Sequence, residues 1–337
     1  MTFINTILDK IPSGKTIILP EIEDDRVMKA TSVILKEGFC KLLIIAKNKE
    51  EKLNIIEQLK STGSTDKQIN NTVFIIKSER IEELAEKLSE LRKTKGMTKE
   101  EAVKLLNNNN NLYFATMLLK LDEADGIVAG SNSATADVLR PALQIIKPKE
   151  GLKTVSSFFI MNKSDAPKNL QTFIFSDCAI NINPTSEQLA DIAISSAESA
   201  EKFNIIPKVA LLSCSTKGSA KHPDIQKVSD AKNILDQKKA MCEGGINFDY
   251  DGELQLDSAL IPSIAAKKSP NSNMQGNANV LIFPNLDAGN IAYKLTQRLA
   301  GYEALGPIIQ GLNKPINDLS RGCSVEDIIN VTKLTLL

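Results

Sequence analysis

Short apolar runs of strand length alternate with helix-length stretches along this chain, and that alternation constrains the fold more than any other feature. Thr16-Ile17-Ile18-Leu19, Leu42-Leu43-Ile44-Ile45-Ala46 and Thr72-Val73-Phe74-Ile75-Ile76 read as buried strands. A helix over 25–36 separates the first two, and two or three helices cover 79–120. Gly126-Ile127-Val128-Ala129 is a further short strand, followed by a loop and a helix over 139–146. The second half repeats the pattern: apolar runs at 155–161, 173–175, 209–212 and 280–283 lie between helices near 186–203, 224–238, 254–266 and 288–300. Continuously apolar strands spaced by helices indicate parallel sheet covered on both faces. The class is α/β.

Lys147-Pro148-Lys149-Glu150-Gly151 is a polar break, and a return crossing is expected between Gly306-Pro307 and Gly311. The expected division is therefore a first α/β domain from 1–150 plus 311–337 and a second from 151–310. Asn107–Asn111 reads as compositional bias in a surface loop.

Charge excludes some classes. Lys plus Arg and Asp plus Glu both number 41, so there is no electrostatic footprint for nucleic acid. No apolar run reaches membrane-spanning length, so no membrane partner is expected. Met1-Thr2-Phe3-Ile4-Asn5 shows no charged segment followed by an apolar core, and a secretory leader is not expected. Cys40, Cys178, Cys214, Cys242 and Cys323 are dispersed without Cys-x-x-Cys spacing. They read as reduced thiols in a cytoplasmic protein, and no metal site is expected. The single histidine, His222, lies between Lys221 and Pro223 and reads as an exposed loop or helix start. If the chain is an acyltransferase, its base is then expected to be a carboxylate. Gly-x-Gly-x-x-Gly and the Walker phosphate loop are both absent.

Polar segments follow several strands, where α/β proteins bind ligands. Gly130–Thr135 offers backbone N–H groups and the hydroxyls of Ser131, Ser133 and Thr135 to a phosphate, and Arg140 adds a bidentate donor. The bland alternative is a capped helix with a solvated arginine. Ser176–Thr185, Ser213–Ser219 (with Lys217 for an anion) and Phe283–Asn290 are comparable segments. Arg92-Lys93-Thr94-Lys95 precedes a helix cap at Thr98. Near the C-terminus, Lys314–Asp327 places Ser320, Arg321, Cys323 and Asp327 within eight residues of one another. Ser324 can cap a helix that begins there, with Asp327 in its first turn. Ser-x-x-Asp is also an ordinary capping box. Cys323 has no histidine beside it, so a packing role is expected.

Taken in order, these segments resemble the phosphate acetyltransferase (phosphotransacetylase) family along essentially the whole chain. The resemblance rests on 124–141, 177–184, Lys217-Gly218-Ser219-Ala220, Asp251-Gly252-Glu253-Leu254-Gln255-Leu256-Asp257, 283–294 and 318–327. Asp122 stands where glycine is expected, and Ala115 is unusual. The resemblance implies two α/β domains flanking a cleft, an isocitrate/isopropylmalate dehydrogenase-like architecture and a homodimer. It also implies no metal and no permanently bound cofactor. The implied reaction is acetyl-CoA + phosphate = acetyl phosphate + CoA, with CoA as a substrate. Ser320, Arg321 and Asp327 match the family's catalytic serine, arginine and aspartate, and Arg140 and Arg92 match its substrate-binding arginines. The alternatives are a phosphate butyryltransferase-like enzyme and a non-catalytic acetyl-CoA-binding regulatory module.

Overall fold

A run of β-branched residues is stable inside a protein only when each backbone N–H and C=O finds a ladder partner. The computed structural model describes residues 3–4, 10–241 and 246–337. Cys242 lies outside the described residues. The strands are β1 (Thr16–Ile18), β2 (Lys41–Ala46), β3 (Val73–Ile76), β4 (Gly126–Ala129), β5 (Ser156–Asn162), β6 (Thr172–Ser176), β7 (Lys208–Leu212), β8 (Asp249–Leu254), β9 (Val280–Ile282), β10 (Glu303–Gln310) and β11 (Ile316–Asp318). They build two α/β units, each with its own sheet. One comprises residues 10–147 with Leu312–Leu337, the other Pro148–Gly311 with Phe3 and Ile4.

In the first unit the sheet order is β11-β4-β1-β2-β3, parallel throughout. The chain steps from β1 to β2 to β3, then returns to place β4 on the other side of β1. The C-terminal ends of β1 and β4 thus lead into divergent loops, the position where open α/β sheets hold ligands. Ile18, Leu43, Ile45, Phe114, Leu118, Ile127 and Ile316 share the core of one face. The helix Val325–Thr335 packs on β4, β11 and the helix Asp25–Glu37. A Cβ on Gly126 would lie 2.6 Å from Thr335 Cγ2, so glycine lets that helix approach β4.

The second unit has the order β10-β5-β6-β9-β7-β8. Here the expected parallel sheet is only part of the answer. β6, β9, β7 and β8 are parallel, but β5 pairs antiparallel with both β6 and β10. Residues 163–171 are too few for a crossover between β5 and β6, and a short connection forces an antiparallel pair. Phe159, Met161, Phe173, Phe175, Leu212, Leu281 and Phe283 fill its core.

The sequence reading assigned no strand to 249–254, 303–310 or 316–318, where β8, β10 and β11 lie. The helix expected over 254–266 is two helices, Leu256–Leu260 and Pro262–Lys268, broken where Pro262 starts the second. The asparagine run is not wholly a surface loop. Asn111 is buried, its Oδ1 accepts from Lys77 Nζ at 2.8 Å, and its Nδ2 donates to Pro20 O at 3.3 Å. Asp122 has φ 62°, the left-handed region that favours glycine, which accounts for the glycine expected there. No helix among the described residues is long and apolar enough to cross a membrane.

Candidate active site

The loops after β1, β4 and β11 meet at one edge of the first unit's sheet, and two side chains bind them together, one from the loop after β1 and one from the first turn of the helix Asp25–Glu37. Glu21 is 1% exposed. Its carboxylate accepts from Gly130 N at 2.7 Å, Ser131 N at 2.8 Å, Ser131 Oγ at 2.8 Å, Ser133 N at 2.9 Å and Asn132 N at 3.4 Å. A buried carboxylate needs such donors, and a tight loop of free N–H groups supplies them.

Arg26 performs the complementary task. Its Nη1 donates to Arg321 O at 2.8 Å and Cys323 O at 3.0 Å, and its Nη2 donates to Ser131 O at 2.8 Å. Asp24 accepts from Nε and Nη2 at 3.1 and 2.7 Å and orients the fork. The Arg26 guanidinium holds the Asp24 carboxyl below the usual carboxylate range. One planar cation thereby fixes carbonyls from two other loops.

The third loop carries the residues expected to do chemistry. Ser320, Arg321 and Asp327 are all exposed. Ser320 Oγ accepts from Gly322 N at 3.2 Å, which leaves its proton for an outside acceptor. The Arg321 guanidinium makes no ion pair among the described residues. Ser324 caps the helix Val325–Thr335: its Oγ accepts from Asp327 N at 3.1 Å, while Asp327 Oδ2 accepts from Ser324 N and Oγ, both at 2.8 Å. Both readings of Ser-x-x-Asp therefore apply, because the capping box engages Oδ2 and no partner among the described residues takes Oδ1. Cys323 is buried, and burial pushes its thiol up to about 11, with Arg26 opposing.

Two consequences of this geometry revise the loop Gly130–Thr135. Its N–H groups at 130, 131 and 133 are engaged by Glu21, so they are not free to cradle a phosphate. Ser131 and Ser133 are buried, whereas Thr135 is exposed. Burial pushes the Asp318 carboxyl up to about 7, with Thr135 opposing.

Arg92 and Arg140 gather at a second group. Arg92 Nη1 donates to Gln144 O at 3.0 Å and its Nε is buried without a partner. Arg140 is exposed and lies 3.4 Å from Asp137 Oδ1. Tyr113 OH donates to Gln144 Oε1 at 3.0 Å. Burial raises the Tyr113 phenol, and the charges of Arg140 and Arg92 oppose it. The helix Thr135–Pro141 joins this group to the first, carrying Thr135 and Arg140 about 7 Å apart along its axis.

In the second unit the polar segments turn inward. Lys217 pairs with Asp251 and donates to Gly252 O at 2.9 Å. Glu253 accepts from Gly218 N at 2.7 Å and Ser215 Oγ at 3.0 Å. Buried Asp177 accepts from Ser157, Ala179, Ile180 and Asn181 N–H groups. His222 is exposed, and its Nδ1 caps the helix Pro223–Ala240 by accepting from Asp224 N at 3.2 Å. Described residues hold no cluster of three or more His, Cys, Asp or Glu fit for a metal ion.

Sequence reasoning missed Glu21, Arg26 and Asp318. Glu21-Ile22-Glu23-Asp24-Asp25-Arg26 reads as a solvated charge run, and only its place directly after a buried strand marks it as part of a ligand edge.

A family model described as phosphate acetyl/butaryl transferase matches residues 2–336. The phosphate acetyltransferase of Acetivibrio thermocellus is 46% identical over 338 residues, 99% of this chain and 97% of that protein. That of Staphylococcus epidermidis is 45% identical over 334 residues, 98% of this chain and 97% of that protein. A crystal structure of a phosphotransacetylase from Streptococcus pyogenes matches with a TM-score of 0.89 and 41% identity, covering 100% of this chain and 98% of that one.

Proposed function

The chain belongs to the phosphate acetyl/butaryl transferase family, and from that premise we propose how its residues act. It is an acyltransferase, a phosphate acetyltransferase that moves an acetyl group reversibly between CoA and inorganic phosphate. In the direction of acetyl-CoA synthesis, Asp327 takes the proton of the CoA thiol. The thiolate attacks the carbonyl carbon of acetyl phosphate, the C=O pair moves onto oxygen, and the tetrahedral intermediate collapses with loss of phosphate. No acyl-enzyme forms. Arg321 balances charge on the phosphate and the intermediate, and Ser320 donates a hydrogen bond to the oxyanion. Arg140 and Arg92 hold anionic groups of acetyl phosphate or CoA, with Thr135 alongside; Ser131 and Ser133 shape the loop through Glu21.

The observation that carries this reading is the exposure of Ser320 and Arg321 on a turn whose backbone is clamped by Arg26, and of Asp327 in the first turn of the helix that follows. The free proton of Ser320 and the open Oδ1 of Asp327 suit their proposed roles. CoA is a substrate, and we expect no permanently bound cofactor or metal.

The finer architecture, isocitrate/isopropylmalate dehydrogenase-like, belongs to the same proposal and is supported by the two α/β units; the proposed domains, 1–150 plus 311–337 and 151–310, follow those units except at Phe3, Ile4, 148–150 and Gly311. We place the protein in the cytoplasm, supported by the free thiols Cys40, Cys178, Cys214 and Cys323. A homodimer is supported by an apolar stripe on the helix Leu286–Ala300, where Ile291, Leu295 and Leu299 are 56, 51 and 80% exposed. Neither nucleic acid nor membrane is expected as a partner.

Thioester formation from CoA and acetyl, propionyl or butyryl phosphate tests the reaction. Acetyl phosphate is expected to give the highest kcat/KM, with no direct effect of chelators. Preference for butyryl phosphate would move the chain to the butyryl branch, and no turnover with any of the three would leave only a binding module.

A further inference from the structure

Asp318 closes β11, two residues before Ser320, and is 5% exposed. Its neighbours leave it little room. It pairs in register with Ala129, and a Cβ on Gly130 (φ 97°) would lie 2.1 Å from its Oδ1. That oxygen is fully buried and has no hydrogen-bond partner. The chain beyond it is anchored at once, because Leu319 N donates to Ala129 O at 2.6 Å.

Glu21 is the second buried acid here, and it already engages the N–H groups of Gly130, Ser131 and Ser133. The groups set against the Asp318 carboxyl are Thr135 from the helix Thr135–Pro141, Gly130 from the loop after β4, and Glu21 from the loop after β1. None is a cation. A buried carboxylate with an unpartnered oxygen, beside another carboxylate, is held in place by taking up a proton. Burial and Glu21 both favour the protonated form, with only Thr135 opposing.

We propose that Asp318 is a positioning acid: protonated, it packs the root of the Ser320–Arg321 turn against the loop after β4, and its ionisation sets a negative charge beneath the site and weakens the hold on phosphate-bearing substrate. The inference deepens the phosphate acetyltransferase reading and rests on it for the substrate. Asn at this position mimics the neutral acid, whereas Ala empties the space the carboxyl fills against Gly130.

The test measures kcat and KM for acetyl phosphate from pH 6.5 to 9 in the wild type, Asp318→Asn and Asp318→Ala. Titration of the substrates is common to all three, so the readout is the difference between proteins. Asp318→Asn is expected to keep kcat within about threefold at pH 6.5. Above pH 8 its KM should fall below that of the wild type by about tenfold, the equivalent of one pKa unit of differential interaction. Asp318→Ala should raise KM at every pH. Parallel profiles for wild type and Asp318→Asn, or a hundredfold loss in Asp318→Asn at pH 6.5, would overturn the proposal. A separate readout needs no substrate: the infrared carbonyl band of a protonated carboxylic acid should vanish from the wild type as pH rises through about 7 and be missing from Asp318→Asn. Lack of that band in the wild type at pH 6 refutes the proposal even if turnover is normal. If the band is present but no acyl phosphate reacts, the functional reading fails and the positioning claim falls with it.

Discussion

Replacing Glu21 by Gln tests whether the ligand edge is held together by an internal anion. The carboxylate accepts five hydrogen bonds through two oxygens in a site that is 1% exposed. A Gln amide offers one acceptor. Turned toward Gly130 N, Ser131 N and Ser131 Oγ, it presents its own NH2 group to Ser133 N, whose N–H loses the carboxylate oxygen that accepted it at 2.9 Å. A buried donor without a partner costs ~1–3 kcal/mol, and the remaining bonds lose charge assistance. The sum is about 3 kcal/mol. For a unit of this size that is a fall in Tm of about 6–12 °C. Thermal unfolding followed by far-UV circular dichroism reads it directly, at fixed protein concentration and pH 7. A fall below about 2 °C would refute the claim that Glu21 carries the loop, and would leave its N–H groups as a plausible phosphate cradle after all.

Stability should also depend on pH through Asp318. Its folded pKa is raised from 3.8 to about 7, so the stabilisation it provides is complete below about pH 4 and is lost as pH rises through about 7. Relative to Asp318→Asn, the wild type should lose on the order of 4 kcal/mol between pH 4 and pH 8 in urea titrations; a constant difference between the two proteins would exclude this. Cys323→Ala should fold and keep most of its turnover, since the thiol, pushed up to about 11, is not a thiolate near neutrality. Abolished turnover together with a trapped acyl-protein in the wild type, seen by mass spectrometry, would reverse that assignment. Leu295→Glu should turn the proposed dimer into a monomer by light scattering at micromolar concentration; an unchanged mass would move the pairing surface elsewhere.

The strands that sequence exposes are those whose every residue is apolar. β2 reads at once because all but its first residue are buried and none of those is charged. β8 does not, because Asp-Tyr-Asp-Gly-Glu-Leu contains three acids, two of them buried where they hold Lys217, Ser215 and Gly218. β11 is three residues long, and two of them, Asn317 and Asp318, are polar and buried. Periodicity cannot show a strand whose polar groups are satisfied by partners far along the chain. The same limit applies to the site. Ser320, Arg321 and Asp327 sit close together in sequence, so their placement on one loop and the helix turn it feeds is legible. Arg26 and Glu21 act on residues about 100 to 300 positions away, and most of their partners there are backbone atoms, which carry no sequence signal. A buried acid that satisfies loop N–H groups looks in sequence like one more surface charge. Glu21, Asp177 and Glu253 repeat this device at three strand ends.

The central claim is that Asp327 is the base, and Asp327→Asn isolates it. Asn keeps an oxygen to accept from Ser324 N and Oγ, so the capping box survives while the basic carboxylate is lost. Thioester formation from CoA and acetyl phosphate at saturating substrate should fall at least ~100-fold, with an unchanged circular dichroism spectrum and Tm. Turnover within a few-fold of the wild type would contradict the account and place the base elsewhere.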